Sequence, residues 1–230
     1  MSKRGKFIVF EGLDGSGKTT QANNLVKRLN SLGIKSAYTK EPTESIPGGS
    51  ARSAIYKKTT LEMESIALLF LADRVEHVKG DILPALEQGR TIVCDRYYLS
   101  NVAYQGLEMD KDMLLKLNQM MLKDKLPPDI TIFLDVSPEI CCERISRDRL
   151  RTDLYEEVNK LTSIRKNFLE TFAKVKDNEN ILIVESNDDP DYTFEKIWLK
   201  VSKMFTGENG EVLTEEKSST QKQWWKKDSI

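Results

Sequence analysis

A glycine-rich segment near the start of the chain has the residue types and the spacing of a phosphate-binding loop. It fits the pattern G-x-x-x-x-G-K-[ST], follows the apolar run Lys6–Phe10 and opens a helical pattern. In that context the glycines let backbone N–H groups converge on phosphate oxygens, and the helix N-terminus adds partial positive charge. The alternative is a glycine turn that only packs a helix onto a strand. The eight residues are Gly12, Leu13, Asp14, Gly15, Ser16, Gly17, Lys18 and Thr19.

Several polar residues in and beyond this loop are candidates for the chemistry of a bound nucleotide. Lys18 is predicted to reach the β- and γ-phosphates and Thr19 to place its hydroxyl on Mg²⁺, and Thr20 completes the predicted ATP site. Asp95 stands at the end of an apolar strand pattern and is a second predicted Mg²⁺ ligand, partly through water. Asp135 has the same placement and competes for this role, whereas helix capping is the alternative reading of Asp95.

Arginine is concentrated where it could bind phosphate. A kinase whose acceptor is itself a phosphate must bring two polyanions together, and guanidinium groups offset their repulsion bidentately. Such an acceptor needs no strong general base, which suits a chain with one histidine. The alternative for the arginines between 144 and 151 is a solvated helix face, since acidic residues interleave with them. The candidates are Arg74, Arg96, Arg144, Arg147, Arg149 and Arg151.

The charge that develops on a transferring phosphoryl group must be met by a cation as the site closes. The variable positions of the glycine-rich loop contain no cation. The cation is therefore predicted to be an arginine from a lid at about residues 144–153. Arg147 and Arg151 are ranked above Arg149 as catalytic residues. Arg144 is predicted to bind ATP.

The order of apolar runs and helical patterns predicts how these residues are positioned. Five buried strands separated by helices indicate an α/β fold with a five-stranded parallel sheet between two helical layers. Ligands bind such sheets beyond the carboxyl ends of the strands, which is where the candidates above stand. The segment 41–50, rich in proline and glycine, is predicted as a loop, 61–88 as one long helix bent near Pro84, and 144–153 as a charged break between helices. The predicted strands are Lys6–Phe10, Lys35–Lys40, Thr91–Cys94, Ile130–Val136 and Ile181–Val184.

Composition narrows the class of protein. With 230 residues, the chain is predicted to form one domain over 1–206, followed by a polar tail over 207–230. Lys plus Arg number 35 and Asp plus Glu 36, so a general nucleic-acid-binding surface is not expected. The apolar runs are too short to cross a bilayer, and the N-terminal one reads as a first strand rather than a signal peptide. Three cysteines without a C-x-x-C predict a reduced, cytoplasmic protein. A GTPase is excluded because the only candidate for N-K-x-D, Asn159-Lys160, lacks the aspartate.

Three longer segments resemble the signatures of thymidylate kinases, a family of P-loop nucleoside monophosphate kinases. The segment 95–105, DRYYLSNVAYQ, resembles D-R-Y-x-x-S-x-x-A-Y-Q. The segment 69–74, LFLADR, is similar to the family's F-x-A-D-R helix, and 128–139 resembles P-D-x-T-x-x-L-D-V-x-P-E. With the glycine-rich loop and Glu41-Pro42, the likeness covers residues 6–205. It implies a P-loop kinase fold with a small lid, transfer of the γ-phosphate of MgATP to dTMP, and a homodimer whose interface uses the helix over 61–77.

The resemblance also implies roles in a dTMP site. Phe70 would stack on the thymine ring, Arg74 would hydrogen-bond its carbonyl edge and Asn101 its N3 side. Arg96 would hold the acceptor phosphate, and Tyr104 would pack under the deoxyribose, where a 2′-hydroxyl would otherwise lie. Asp14 and Asp95 would lie near the acceptor sugar, its phosphate and Mg²⁺. The remaining residues of the implied dTMP site are Glu41, Ser100 and Gln105.

The chain departs from the family pattern in places. Lys40 replaces an arginine that often precedes Glu-Pro, Thr43-Glu44-Ser45 replaces G-G-T, and the lid sequence RDRLRTD is compact. Two rivals stay open: a kinase with broader pyrimidine or deoxynucleotide specificity, and a non-catalytic nucleotide-binding module. Core packing is the alternative for Phe70 and Tyr104. In the tail, Trp224-Trp225 allows docking onto the body or a partner.

Overall fold

A parallel five-stranded sheet forms the centre of the molecule. A computed structural model describes residues 4–56, 58–122, 127–148, 158–187 and 189–206. The strand order is β2-β3-β1-β4-β5, and every pair is parallel, which confirms the predicted sheet. In the parts of the chain described, no helix combines the length and apolar character needed to cross a membrane. The strands are β1 (Phe7–Gly12), β2 (Ser36–Lys40), β3 (Thr91–Asp95), β4 (Ile130–Asp135) and β5 (Ile181–Glu185).

Strand β1 shows why the sheet is covered on both faces. Because side chains alternate along a strand, Phe7 and Val9 enter one apolar cluster while Ile8 and Phe10 enter another. The register pairs Phe10 with Asp95, so β3 ends beside β1 and two residues before Gly12, the last residue of β1. The carboxyl ends of the central strands therefore meet at one edge of the sheet, as a ligand site in this fold requires.

Helices form the two outer layers. Helices α1 and α9 cover the face that carries Ile8, whereas α3, α5 and α8 lie on the face that carries Phe7. The three-layer α/β/α arrangement is therefore confirmed. The helices are α1 (Lys18–Ser31), α2 (Ile46–Ile55), α3 (Met63–His77), α4 (Leu83–Glu87), α5 (Tyr98–Gln105), α6 (Lys111–Leu122), α7 (Pro138–Asp148), α8 (Val158–Val175) and α9 (Pro190–Val201), with a π turn over Val78–Ile82 and a 3₁₀ turn over Ser202–Met204.

The predicted loop over 41–50 is wrong in its second half, because helix α2 begins at Ile46. Ser45 caps this helix by accepting a hydrogen bond from the N–H of Gly48 at 3.1 Å. Asp73 of α3 holds the segment: it accepts from the Thr43 N–H at 2.8 Å and from the hydroxyl of Ser45 at 2.6 Å. A Cβ on Gly48 would lie 2.6 Å from a carboxylate oxygen of Asp73, so this glycine permits close approach rather than a turn.

Two other boundaries differ from the expectations. The long helix over 61–88 is α3, the π turn and α4 in succession, and the disturbance lies just before Pro84, which has no N–H to donate. The predicted charged break at 144–153 is wrong at its start, because α7 continues through Arg144 to Asp148. The rest of the predicted lid, 149–153, lies outside the described residues.

Candidate active site

A cleft of about 500 Å³ opens at the carboxyl edge of the sheet. Most of the residues expected from the sequence line it, so one site brings them together. Gly12 and Leu13 lie beneath it as part of the loop's buried base. Arg147 is in the last turn of α7, but its side chain and all of Arg151 lie outside the described residues. The expected residues that line the cleft are Asp14, Gly15, Ser16, Gly17, Lys18, Thr19, Thr20, Glu41, Phe70, Arg74, Asp95, Arg96, Ser100, Asn101, Tyr104, Gln105 and Arg144.

The glycine-rich loop curls around the ammonium group of Lys18. Gly15 and Gly17 have φ values of 79° and 91°, which few other residues adopt without strain. Lys18 Nζ donates to the carbonyl oxygen of Leu13 at 2.6 Å and lies 3.5 Å from Ser16 Oγ. Burial, and then the positive charge of Arg96, lower the pKa of Lys18 to about 8. The loop thus holds a desolvated cation where an anionic phosphate would relieve its burial.

Thr19 and Asp95 form a hydrogen-bonded pair of side chains beside Lys18. Thr19 Oγ1 donates to Asp95 Oδ2 at 2.5 Å, and the Tyr38 hydroxyl lies 3.4 Å from the same oxygen. Asp95 Oδ1 is buried and has no hydrogen-bond partner among the described residues. Hydroxyl and carboxylate oxygens are ligands that Mg²⁺ prefers, and a cation would satisfy this orphaned oxygen, so the pair fits the predicted metal site.

The competing carboxylate, Asp135, is committed elsewhere. Its two oxygens accept from Nε and Nη2 of Arg165 on α8, at 2.6 and 2.8 Å. This bidentate pair ties the end of β4 to α8. The structure therefore favours Asp95 over Asp135 as the carboxylate of the phosphate site.

Arg96 lies between the glycine-rich loop and helix α5 in a strained backbone conformation. Its φ of 74° is in the left-handed region, and its N–H donates to the carbonyl oxygen of Phe10 at 2.8 Å. Its guanidinium donates to Asp14, in a short ion pair, and to Ser100 Oγ at 3.2 Å. Burial alone would lower the pKa of Arg96, but Asp14 and then Tyr104 raise it well above its ordinary value. A permanently charged guanidinium is thus held at the centre of the cleft.

A buried acid that the sequence reasoning missed fixes the start of α5. Glu11 is fully buried in β1 and accepts from the N–H groups of Tyr97 and Ser100, at 3.0 and 3.1 Å, and from the Ser100 hydroxyl at 2.5 Å. Burial raises the pKa of Glu11 to about 7, although the hydrogen bond from Ser100 and the charge of Arg96 oppose the shift. The sequence feature that could have indicated this role is Glu11 itself, a single acidic residue within an otherwise apolar strand.

The other end of the cleft is built around Arg74, whose side chain is 1% exposed. Arg74 Nε donates to Glu41 Oε2 at 2.7 Å, and Nη2 donates to the carbonyl oxygen of Tyr97 at 3.2 Å. Glu41 also contacts the ring of His77, with 3.1 Å between Oε1 and Nδ1. Phe70, one helical turn before Arg74, is partly buried against a small apolar cluster and also lines the cleft. Phe70 therefore packs in the core and borders the cleft, and its stacking on a base stays a prediction.

Tyr104 connects the two ends of the cleft. Its ring packs edge-on against Phe168, with 6.3 Å between centroids, and the guanidinium of Arg96 lies 4.9 Å above it. Its hydroxyl accepts from the Asp14 N–H at 3.1 Å and lies 3.2 Å from Asp14 Oδ2. The contacts of the hydroxyl with the glycine-rich loop hold the ring in one place.

Helix α2 contributes a cleft residue that no sequence pattern indicated. Arg52 lines the cleft and donates to the carbonyl oxygen of Pro42 at 2.9 Å and to Glu44 at 2.6 Å. It was missed because the segment before it was predicted as a loop. Lys40, which precedes Glu41, lines the same wall. Two cations therefore flank the loop that follows β2.

Comparison with known proteins places the chain among similar sequences. The family model described as thymidylate kinase matches residues 10–197. A protein named probable thymidylate kinase from Pyrococcus horikoshii is 40% identical over 172 residues, covering 72% of this chain and 82% of that protein. A thymidylate kinase from Caldicellulosiruptor saccharolyticus is 39% identical over 183 residues, covering 74% and 86%. One from Mycoplasmoides gallisepticum is 36% identical over 204 residues, covering 85% and 93%.

Proposed function

This chain belongs to the thymidylate kinase family, and on that premise we propose how its own residues transfer the γ-phosphate of ATP to dTMP, giving ADP and dTDP. One observation carries the assignment of roles. The cleft joins a phosphate-binding loop that holds Lys18 to a pocket lined by Phe70 and Arg74, and Arg96 lies between them.

The donor nucleotide binds at the glycine-rich loop. Backbone N–H groups of 12–17 and the N-terminus of α1 surround the β-phosphate, while Lys18 exchanges the Leu13 carbonyl for phosphate oxygens. Arg144 faces the far end of the cleft, where its guanidinium lies 3.4 Å from the carbonyl oxygen of Asn187. We assign this end to the adenosine. Thr20 completes the donor contacts.

Thr19 and Asp95 would hold Mg²⁺, partly through water. When bound, the ion supplies positive charge that offsets the repulsion between donor phosphate oxygens. The protein's own contribution is to hold Oδ2 of Asp95 against Thr19 and Tyr38, which leaves the buried Oδ1 without a hydrogen-bond partner among the described residues.

The acceptor dTMP binds between α3 and α5. The ring of Phe70 provides an apolar face for the thymine, and Arg74 and Asn101 provide polar atoms for its edges. Arg96 pairs with the acceptor phosphate, with Ser100 beside it. The attacking oxygen is already anionic, so it needs no proton acceptor, and Asp14 keeps Arg96 aligned instead of acting as a base. Glu41 and Gln105 complete the pocket.

A coupled assay of ADP release with ATP and a panel of nucleoside monophosphates tests the function. dTMP is expected to be the preferred acceptor, because the pocket presents polar atoms to a base edge and a ring under the sugar. Equal rates with all pyrimidine monophosphates would support the broader-specificity kinase. No turnover despite nucleotide binding would support a non-catalytic module, against which the presence of Lys18, Asp95 and Arg96 argues.

We propose further that the protein is a homodimer that uses the outer face of α3. Leu68 is exposed, and with Leu71 it lines an apolar groove that Met113 and Leu117 of α6 complete. A second copy burying this groove would remove the exposed apolar surface from water. Light scattering should give the mass of a dimer for the wild type and of a monomer for Leu68→Glu. A monomeric wild type would refute the proposal.

The remaining assignments concern context. We propose that the protein binds neither nucleic acid nor membranes, and its near-neutral net charge supports the first part. We propose that it is cytoplasmic, which is consistent with the free thiols of its cysteines. We also propose that residues 1–206 form the kinase domain and that 207–230, outside the described residues, form a polar tail.

A further inference from the structure

A buried amide on α6, Asn118, joins the arginine of the base pocket to two amides that line the cleft. Nη1 of Arg74 donates to Oδ1 of Asn118 at 2.8 Å. Nδ2 of Asn118 donates to Oδ1 of Asn101 at 2.8 Å and to the carbonyl oxygen of Leu114 at 2.9 Å. Asn101 in turn donates through Nδ2 to Oε1 of Gln105 at 2.9 Å. The four side chains form one chain of hydrogen bonds that all run in the same direction.

The chemistry of its partners fixes the orientation of the Asn118 amide. A guanidinium can only donate and a backbone carbonyl can only accept. Turning the amide over would set its NH₂ against Arg74 and its oxygen against the carbonyl of Leu114, leaving buried polar groups unpaired. Arg74 cannot turn away to relieve this, because Glu41 holds its Nε. Asn118 therefore has one stable orientation.

The orientation of the Asn118 amide determines the orientation of the Asn101 amide. Since Asn118 presents an N–H to Asn101, the atom that receives it must be the carbonyl oxygen, Oδ1. The NH₂ of Asn101 then faces Gln105. Asn101 and Gln105 line the cleft, whereas Asn118 lies behind them, against the groove between α3 and α6.

We propose that Asn118 is a positioning residue that sets which pyrimidine the cleft accepts, by holding the oxygen of Asn101 as the acceptor for the base. This inference rests on the proposed function, in which Asn101 faces the N3 side of the ring. Thymine and uracil carry a hydrogen on N3, which the second lone pair of Asn101 Oδ1 can accept. The N3 of cytosine is itself an acceptor, so two lone pairs would meet in a buried site. A site built for a donor rejects the ligand that lacks it.

Asn118→Asp tests the relay because it keeps the shape and the acceptor but removes the donor. The new carboxylate accepts from Arg74 and repels the oxygen of Asn101, so the Asn101 amide turns over. We expect kcat/KM to fall about 100-fold for dTMP and dUMP and much less for dCMP. The ratio of kcat/KM for dTMP to that for dCMP should therefore fall at least tenfold, which is about the effect of one mispaired buried contact. The KM for ATP should not change, because the glycine-rich loop is untouched.

The matched control is Gln119→Glu, the same amide-to-acid change on the exposed side of the same helix. It should keep the wild-type ratio. Asn118→Leu, a neutral variant of similar size, frees Asn101 without reversing it, so the ratio should fall less than in Asn118→Asp. This variant also provides the test if the buried acid prevents folding, which melting curves will show.

A dTMP-to-dCMP ratio within twofold of wild type in a folded Asn118 variant would overturn the proposal. A parallel loss for dTMP, dUMP and dCMP would also overturn it, since that is the result of a purely structural role. Failure of the proposed function gives a different result, namely no transfer to dTMP by the wild-type protein.

Discussion

The two ends of the cleft hold their polar groups by different physical means. At the phosphate end, defined as 12–20 with Asp95 and Arg96, backbone groups and side chains make contacts that a ligand can replace: Lys18 rests on a carbonyl, and Asp95 Oδ1 has no partner among the described residues. At the base end, defined as Glu41, Arg74, Asn101, Gln105 and Asn118, the side chains are buried and satisfy one another.

Because their polar groups are held differently, the two ends suit different tasks. A phosphate that takes the place of these partners meets charged groups that are already in position, so the phosphate end suits catalysis. A closed network cannot rearrange cheaply, because every buried donor or acceptor left unpaired costs free energy. The base end therefore suits recognition, and changes at the two ends should affect different kinetic constants.

Removal of the cation at the centre of the phosphate end should have the largest effect and should separate the two ends most clearly. Lys18→Ala is expected to abolish phosphoryl transfer and to leave dTMP binding largely intact, because Lys18 contacts none of the base-end side chains in the structure. Calorimetry of dTMP binding, beside a coupled assay, measures both properties. Lys27→Ala, an exposed lysine of the same helix, is the control. Loss of both activities together would mean that the two ends are not separate.

The lid should supply the second-largest effect. No cation other than Lys18 occurs within the glycine-rich loop, so we predict that an arginine at 147, 149 or 151 meets the charge of the transferring group. We expect one of Arg147→Ala, Arg149→Ala and Arg151→Ala, with Arg147 and Arg151 ranked first, to lose about 10³-fold in kcat with little change in KM.

Arg90→Ala is the control for this series, because Arg90 is exposed and precedes β3 at the opposite edge of the sheet. Steady-state measurements of kcat and KM for the four variants test whether a lid arginine is catalytic. If all three lid variants stay within tenfold of wild type, the assignment to the lid is wrong and Arg96 or Arg144 must meet the charge instead.

At the base end, Glu41→Gln should weaken recognition and folding without touching catalysis. The change leaves the buried charge of Arg74 without its counter-ion, although the new amide keeps its place beside Nδ1 of His77. We expect the free energy of unfolding to fall by about 3 kcal/mol, at the lower end for breaking a buried pair, and the KM for dTMP to rise more than the KM for ATP.

Chemical denaturation and two-substrate kinetics measure these effects. Glu44→Gln is a close control, since Glu44 lies in the same loop but its side chain is 81% exposed and its pair with Arg52 is a surface one. Equal stability losses in the two variants would show that burial of the Glu41–Arg74 pair does not matter. A KM for ATP that rises as much as that for dTMP would show that the two ends are coupled.

The phosphate end was largely predictable from sequence because its geometry is local. A strand, a glycine pattern and a helix start lie within 15 consecutive residues, 6–20, and the register of parallel strands then brings Asp95 alongside. What local pattern could not decide was the choice between Asp95 and Asp135. That choice depends on Arg165, 30 residues further along the chain, which engages Asp135.

The base end was predictable only through family resemblance. Phe70, Arg74 and Asn101 are ordinary helix residues by pattern, and their meeting depends on side chains far apart in sequence, such as the pair of Arg74 and Asn118 separated by 44 positions. Helix α2 was missed because proline and glycine favour loops, whereas here Asp73 holds the segment from outside. The pocket and helix α2 therefore both depend on tertiary contacts that local sequence patterns do not show.

Tyr104 lies at the boundary between the two ends, and its variants should give the smallest effect. Its ring is fixed by Phe168 and its hydroxyl by Asp14, so bulk and hydrogen bonding can be separated. In Tyr104→Phe the ring stays, and the preference for dTMP over its ribo analogue should be kept. The variant loses the hydrogen bond between the Tyr104 hydroxyl and Asp14, which is worth about 1 kcal/mol, so kcat should fall less than tenfold.

In Tyr104→Ala the space under the sugar opens, and the preference for deoxyribose should be lost. Tyr98→Phe serves as the control, because it removes a hydroxyl from the same helix that contacts Glu179 rather than the cleft. Ratios of kcat/KM for dTMP and its ribo analogue are measured in all three. If the Phe and Ala variants both discriminate as well as the wild type, Tyr104 is only part of the core. If Phe loses the preference as fully as Ala, the hydroxyl and not the ring reads the sugar, and the boundary between the two ends lies at Asp14.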